Sequence, residues 1–107
     1  MTAPHDLVDR YFALSAPGHV DELVALFTPD AVVADDGHEH RGSEGIRRWR
    51  APVPAVQHDV LETGPDGDGL LSRVRISGDF PGSPVVLLFR FGFAGPLIES
   101  LHIRPAG

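Results

Sequence analysis

DRYFALSAPGHVDELVALFTPDAVVADDGHEHRGSEGIRRW, residues 9–49, holds two apolar helical stripes, a Pro-Asp stop and a β-branched run that ends in a carboxylate. Leu7, Tyr11 and Leu14 recur at helical spacing over residues 4–15, with Val8 and Phe12 beside them. Ser15-Ala16-Pro17-Gly18 breaks that helix. Val20, Leu23, Val24 and Phe27 repeat the i, i+3, i+4, i+7 spacing, and Pro29-Asp30 stops this second helix. Each stripe faces an acidic side, so each helix covers something rather than standing alone. Ala31–Asp36 reads as a strand, which Gly37 turns into a second short strand over His38–Arg41. Gly42-Ser43 then starts a third helix carrying Ile46 and Trp49, stopped by Pro52.

Beyond this stretch the apolar period changes from about 3.6 to 2. Residues 55–63, 69–80, 84–93 and 97–104 read as four strands, joined by turns at GPDGDG, FPGSP and AGP. In the third of them Val85, Leu87, Phe89, Phe91 and Phe93 share one face. Helices first and a meander afterwards define an α+β domain: three helices in the N-terminal half on a strongly curved, mostly antiparallel sheet. One domain spans residues 1–107. The other face of such a sheet stays open unless a second copy covers it, so a homodimer through the outer face is expected.

Bulk composition excludes several classes. A net charge of −6 disfavours nucleic acid and anionic lipid as partners. The absence of cysteine removes disulfides, thiol nucleophiles and thiolate metal sites. The N-terminus has neither a basic n-region nor an apolar h-region, and the longest aliphatic-aromatic run is Val85–Phe89, so a soluble cytoplasmic protein is expected. Every basic side chain apart from histidine is arginine, which, with the Ala, Gly and Pro content, fits a GC-rich bacterial coding bias.

Asp35 is the leading candidate for chemistry. Alternation from Ala31 and Val33 puts it on their apolar face, and a carboxylate among apolar neighbours has its ionised form destabilised, which makes a weak base useful near neutrality. The competing reading ends the strand at Ala34 and leaves Asp35-Asp36-Gly37 a solvated turn. Tyr11 lies on the apolar stripe of the first helix, where its hydroxyl either donates to a bound oxygen or reaches the surface. Trp49 is a pocket wall or plain core.

These residues resemble the opening of the SnoaL-like, nuclear-transport-factor-2-like (NTF2-like) superfamily, whose cone-shaped, cystatin-like fold encloses one apolar pocket. The first half is most similar to ketosteroid isomerase. The resemblance implies that Tyr11, in its Arg10-Tyr11 context, donates to an oxyanion, and that Asp35, after Val33-Ala34 and the Pro29-Asp30-Ala31 corner, moves a proton beside a carbonyl. The chain departs from that pattern at Leu87, where the family's second oxyanion donor would fall; losing one donor typically costs about 100- to 1,000-fold in rate.

The resemblance implies a pocket lined by His40, Trp49, Leu87, Phe89, Phe27 and Ile46. Its ligand is a small, mostly apolar carbonyl compound, isomerised or cyclised by acid/base catalysis from Asp35, with no cofactor and no metal. The alternative is a non-catalytic ligand-binding or dimerisation module. A second alternative takes His38, His40 and Glu44 as a His-x-His metal site resembling that of cupins, against a polar strand edge with Glu44 favouring a helix N-terminus. His58 and His102 are expected to face outward. Arg41, Arg47, Arg48 and Arg50 either receive a ligand anion or form a solvated face balanced by the acidic helices. Glu99 shares a strand face with Leu97, Leu101 and Ile103, which makes it a second pocket carboxylate unless a β-bulge turns it out.

Overall fold

A computed structural model describes residues 3–16, 18–51 and 56–106. Its elements run α1 (Pro4–Ala13), α2 (Val20–Val24), β1 (Phe27–Asp35), β2 (His38–Arg41), α3 (Gly42–Arg50), β3 (Gln57–Asp66), β4 (Gly69–Ser77), β5 (Val85–Ala94) and β6 (Leu97–Pro105). The strands form one sheet in the order β2-β1-β6-β5-β4-β3. Every neighbouring pair is antiparallel except β1–β6, which is parallel. The three helices and the curved, mostly antiparallel sheet expected from the sequence are therefore present.

Strand alternation sorts the two faces. In β4, Leu70, Ser72, Val74 and Ile76 are buried while Arg73 and Arg75 are exposed. In β5, Phe89 and Phe91 are buried under the helices. From α1, Leu7, Val8 and Tyr11 enter the core, a helical stripe that packs on this inner face. Tyr11 is its centre: ring centroids of Phe12, Phe91, Phe27 and Phe89 stand 5.1, 5.4, 6.2 and 6.2 Å away, mostly edge-on.

Three local expectations are corrected, and the alternative left open at Glu99 is decided. Helix α2 stops at Val24, and Phe27 opens β1 rather than closing a helix; burial of Leu26 and Phe27 against the sheet outweighs a continued helical turn. Strand β3 runs on to Asp66, because only Gly67 (φ 63°) and Asp68 are needed for the hairpin turn to Gly69. Strand β4 ends at Ser77, short of Phe80, which still packs on the core. Glu99 is exposed because the β5–β6 register shifts between Gly92 and Phe93, so Ile98 and Leu101 both point inward and Glu99 is the unpaired extra residue. The helix breaker Pro17, the stop at Pro52 and the start of the third strand at Ala55 lie outside the described residues.

Arg90 ties the β3–β4 hairpin to β5, its Nη2 donating to the Asp66 carbonyl at 2.8 Å and its Nη1 to the Phe91 carbonyl at 3.2 Å. Gly69 lies beneath this clamp. A Cβ there would stand 2.1 Å from the Phe91 carbonyl oxygen and 2.6 Å from Arg90 Nη1. Gly69→Ala is therefore expected to lower unfolding free energy by about 1–3 kcal/mol in urea denaturation. Gly64→Ala, whose Cβ would meet nothing within 4 Å, serves as the control and should leave stability unchanged or slightly raised. Equal midpoints for the two variants would refute the clamp.

Candidate functional site

Asp35 belongs to the strand. Its partner is His38, so the β1–β2 turn consists of Asp36 and Gly37 alone, with φ of 53° and 78°. Two consecutive positive φ values are what a type I′ hairpin turn requires, and Asp-Gly supplies them at low cost. Laterally Asp35 pairs with Ile103, which pairs with Phe89, and the Cα partners of one row share a face. The carboxylate therefore points under the helices, where Trp49 Nε1 donates to its Oδ2 at 3.0 Å. It is half-buried and borders a cleft of about 410 Å³ shared with Leu87, His102, Ile103 and Pro105.

Trp49 holds more than the acid. Its ring stacks on His40 at 5.9 Å, and the Arg50 guanidinium carbon lies 5.2 Å from the ring centroid. Arg50 Nη2 also donates to the Ser15 carbonyl at 2.6 Å, which joins the end of α3 to the chain just past α1. The half-buried His40 faces a second surface cleft, of about 430 Å³, with Glu39, Arg48 and Trp49.

The expected lining residues therefore fall into two groups. Asp35, His40, Trp49 and Leu87 stand at the half-open rim. Tyr11, Phe27, Ile46 and Phe89 are only 1, 4, 0 and 3% exposed, packed against one another deeper in the core. Burial pushes the Tyr11 phenol up to about 12; the Arg50 charge and the Ser15 hydroxyl oppose that rise, and the Asp35 charge adds to it. A phenol so placed keeps its proton throughout the physiological range and acts as a donor, never as a base.

His58 is a correction. It is half-buried, its ring 5.7 Å from Phe12, and it pairs with the buried Ile76, so it faces inward rather than outward. Burial first, and then the Arg50 charge, lower its pKa and keep the ring neutral near pH 7. Val56 and Val60 flank it at two-residue spacing, a signal the sequence did contain. Arg50 was also legible, since Ile46, Trp49 and Arg50 stand at i, i+3 and i+4 of one helix. The solvated-face reading holds for Arg47, which pairs with Asp21 and Glu44, and for Arg41, which pairs with Glu39. His38 and His102 are exposed. Among the described residues no three His, Cys, Asp or Glu side chains are gathered around one point, and Glu44 faces Arg47 rather than His38 or His40.

A half-buried carboxylate, a buried phenol and a half-buried imidazole therefore lie on the helix-covered face of one curved, mostly antiparallel sheet. The family model of the SnoaL-like domain matches residues 8–96, and the chain belongs to that family. A candidate polyketide cyclase from Sinorhizobium meliloti is 38% identical over 92% of this chain and 94% of its own, with a TM-score of 0.85. A protein from Sphaerobacter thermophilus superposes with a TM-score of 0.88 at 19% identity, covering 100% of this chain and 99% of its own. A Catenulispora acidiphila protein with a ketosteroid isomerase-like fold, solved with trimethylamine, gives a TM-score of 0.82 at 20% identity over 95% of this chain and 86% of its own. The last two show the fold alone. No functionally curated protein matches the sequence. Among the described residues no helix is long and apolar enough to cross a membrane.

Tyr11 is the single tyrosine, so the phenolate increment near 295 nm reads it over the Trp49 background, which does not titrate. The native protein is expected to form phenolate only near pH 12, and the denatured chain near pH 10. The folded pKa is the higher one, so this contribution to stability is complete below pH 10 and is lost as the pH climbs from 10 through 12. Tyr11→Phe should remove that alkaline loss. A native midpoint near 10 would contradict the burial of the hydroxyl.

Proposed function

We propose that the chain binds a small, largely apolar carbonyl compound at the rim of the cone and moves a proton on it with Asp35, isomerising it or closing a ring. The observation that carries this reading is the Asp35 carboxylate, turned under the helices, steadied by the Trp49 indole and set beside the apolar walls of Leu87, Ile103 and Pro105. One carboxylate oxygen accepts the indole N–H while the other is left for a ligand C–H. Tyr11 donates to the oxygen on which charge develops, once a ligand parts the rings packed over it. Similarity to the Sinorhizobium protein supports a cyclisation as readily as an isomerisation. The reaction needs no cofactor, and the protein works in the cytoplasm.

Deuterium exchange beside the carbonyl of small cyclic β,γ-unsaturated ketones, followed by NMR in D₂O, tests the chemistry without the natural substrate. Wild-type protein should accelerate exchange, and Asp35→Asn should lower the rate by about 100- to 10,000-fold while still accepting the Trp49 hydrogen bond. Tyr11→Phe should cost about 100- to 1,000-fold. Exchange unchanged in Asp35→Asn would assign the residue to binding. That second reading, a ligand-binding module without turnover, is favoured by one feature, the apolar Leu87 in place of a second oxyanion donor.

We propose a second copy of the chain as the partner of the outer sheet face. There Arg75 and Arg90 are paired within the chain to Asp59, Asp66 and Asp68, and the half-exposed Leu71, Val86 and Leu88 give apolar surface to meet its own copy across a two-fold axis, with the exposed Arg73 and Arg104 flanking Leu88 on the neighbouring strands. Light scattering should give a dimer for the wild type and a folded monomer for Leu88→Glu; a wild-type monomer at 100 μM would overturn this.

A further inference from the structure

Arginines on this chain are mostly spoken for or solvated. Arg41, Arg47, Arg75 and Arg90 each face a carboxylate, and Arg10, Arg48, Arg73 and Arg104 are exposed. Arg50 is neither. It is half-buried and, among the described residues, no carboxylate lies within salt-bridge distance of it; its one hydrogen bond runs to the Ser15 carbonyl at 2.6 Å. The guanidinium carries five N–H donors in a rigid fork, so several have no acceptor among the described residues. The Trp49 face, 5.2 Å away, shields one side and holds the group in place. A partly desolvated cation with spare, oriented donors is a receptor for an anionic oxygen, where charge-assisted bonds are strongest.

We propose that Arg50 receives a carboxylate of the ligand at the rim, so that the small apolar carbonyl compound presented to Asp35 also carries an acid group. Trp49 sets the arrangement: its N–H edge holds Asp35 and its face holds Arg50, so the acid-base group and the anion receptor stand on different sides of one indole. The surroundings agree. Burial raises the Tyr11 phenol and lowers His58, and the Arg50 charge acts downward on both, which puts the three groups in one electrostatic neighbourhood. His58 and Phe12, 5.7 Å apart, supply uncharged aromatic surface for the rest of the ligand. The inference rests on the rim being the ligand site proposed above, and it names the substrate class for that site.

Cyclohexanecarboxylate and its neutral isostere cyclohexanecarboxamide are the probes, titrated at pH 8 by calorimetry and by fluorescence of Trp49, the single tryptophan. The wild type should bind the carboxylate about 10- to 100-fold more tightly than the amide. Arg50→Gln should abolish that preference, Arg50→Lys should keep most of it, and Asp35→Asn should keep or enlarge it. Because Arg50 also bonds the chain after α1, near-ultraviolet circular dichroism checks each variant; if Arg50→Gln fails to fold, the wild-type preference and its persistence in Arg50→Lys decide. Equal affinity for the two probes, binding of neither, or a preference that survives in Arg50→Gln would overturn the proposal. A carboxylate preference alongside ketone exchange that ignores Asp35→Asn would leave Arg50 as assigned and remove only the proton-transfer reading.

Discussion

The indole of Trp49 is the piece on which the site depends. An aromatic ring carries a positive edge and a negative face, and here the edge meets a carboxylate while the face meets a guanidinium. Chain geometry brings it there. From Asp35 the Asp36-Gly37 turn sends β2 back along β1, a return of about 13 Å over four residues. Helix α3 then retraces about 10 Å between Gly42 and Trp49, which carries the indole back over the strand end it left. The two lengths nearly cancel, and a helix shorter by one turn would leave Asp35 without its donor.

Keeping an acid and a base-like cation near each other without letting them pair is physically demanding. A half-buried Asp–Arg contact is favourable enough to collapse any arrangement that allows it, and a collapsed pair offers neither a proton acceptor nor an anion receptor. Among the described residues Asp35 and Arg50 form no ion pair. The Trp49 N–H edge meets Asp35 while its face meets Arg50, and Arg50 is drawn instead towards the Ser15 carbonyl. That carbonyl follows α1, where the unsatisfied carbonyls of a helix end favour a cation. The same placement sets the field at Tyr11 and His58, so one residue of α3 conditions groups on α1 and β3.

Much of this was legible in the chain, and the misses have particular causes. Helical stripes, the period change after residue 55 and the Asp-Gly turn define the layers, because burial of one face is a local demand that shows as periodicity. The competition over Asp35 is settled by the same turn signal that raised it: only two residues are needed, so the first aspartate of Asp35-Asp36-Gly37 stays in the strand. Phe27 was misplaced because a helical stripe and a strand start share its spacing, and only the sheet pairing of Phe27 with Ile98 decides between them. Glu99 depended on a bulge, which is a property of two strands together and of neither alone. His58 was different: Val56 and Val60 already marked its face. The parallel β1–β6 contact, which closes Asp35 against Ile103, joins residues far apart in sequence and leaves no local trace.

The core and the rim make opposed demands on the same aromatic residues. Tyr11, Phe27, Phe89 and Phe91 pack edge to face with almost no exposed surface, and this cluster supplies much of the stability of a small domain. A ligand that reaches the Tyr11 hydroxyl must part those rings and replace the contacts it breaks with its own apolar surface. In the proposed reading such a site would select against molecules with little apolar surface, since these cannot compensate for the separated rings. In the proposed reading the rim acts first, through the Arg50 charge and the half-open wall at Leu87 beside the buried Ile103. On that proposal recognition would be divided by position: electrostatics at the surface chooses what arrives, and hydrophobic replacement in the interior chooses what reaches the phenol.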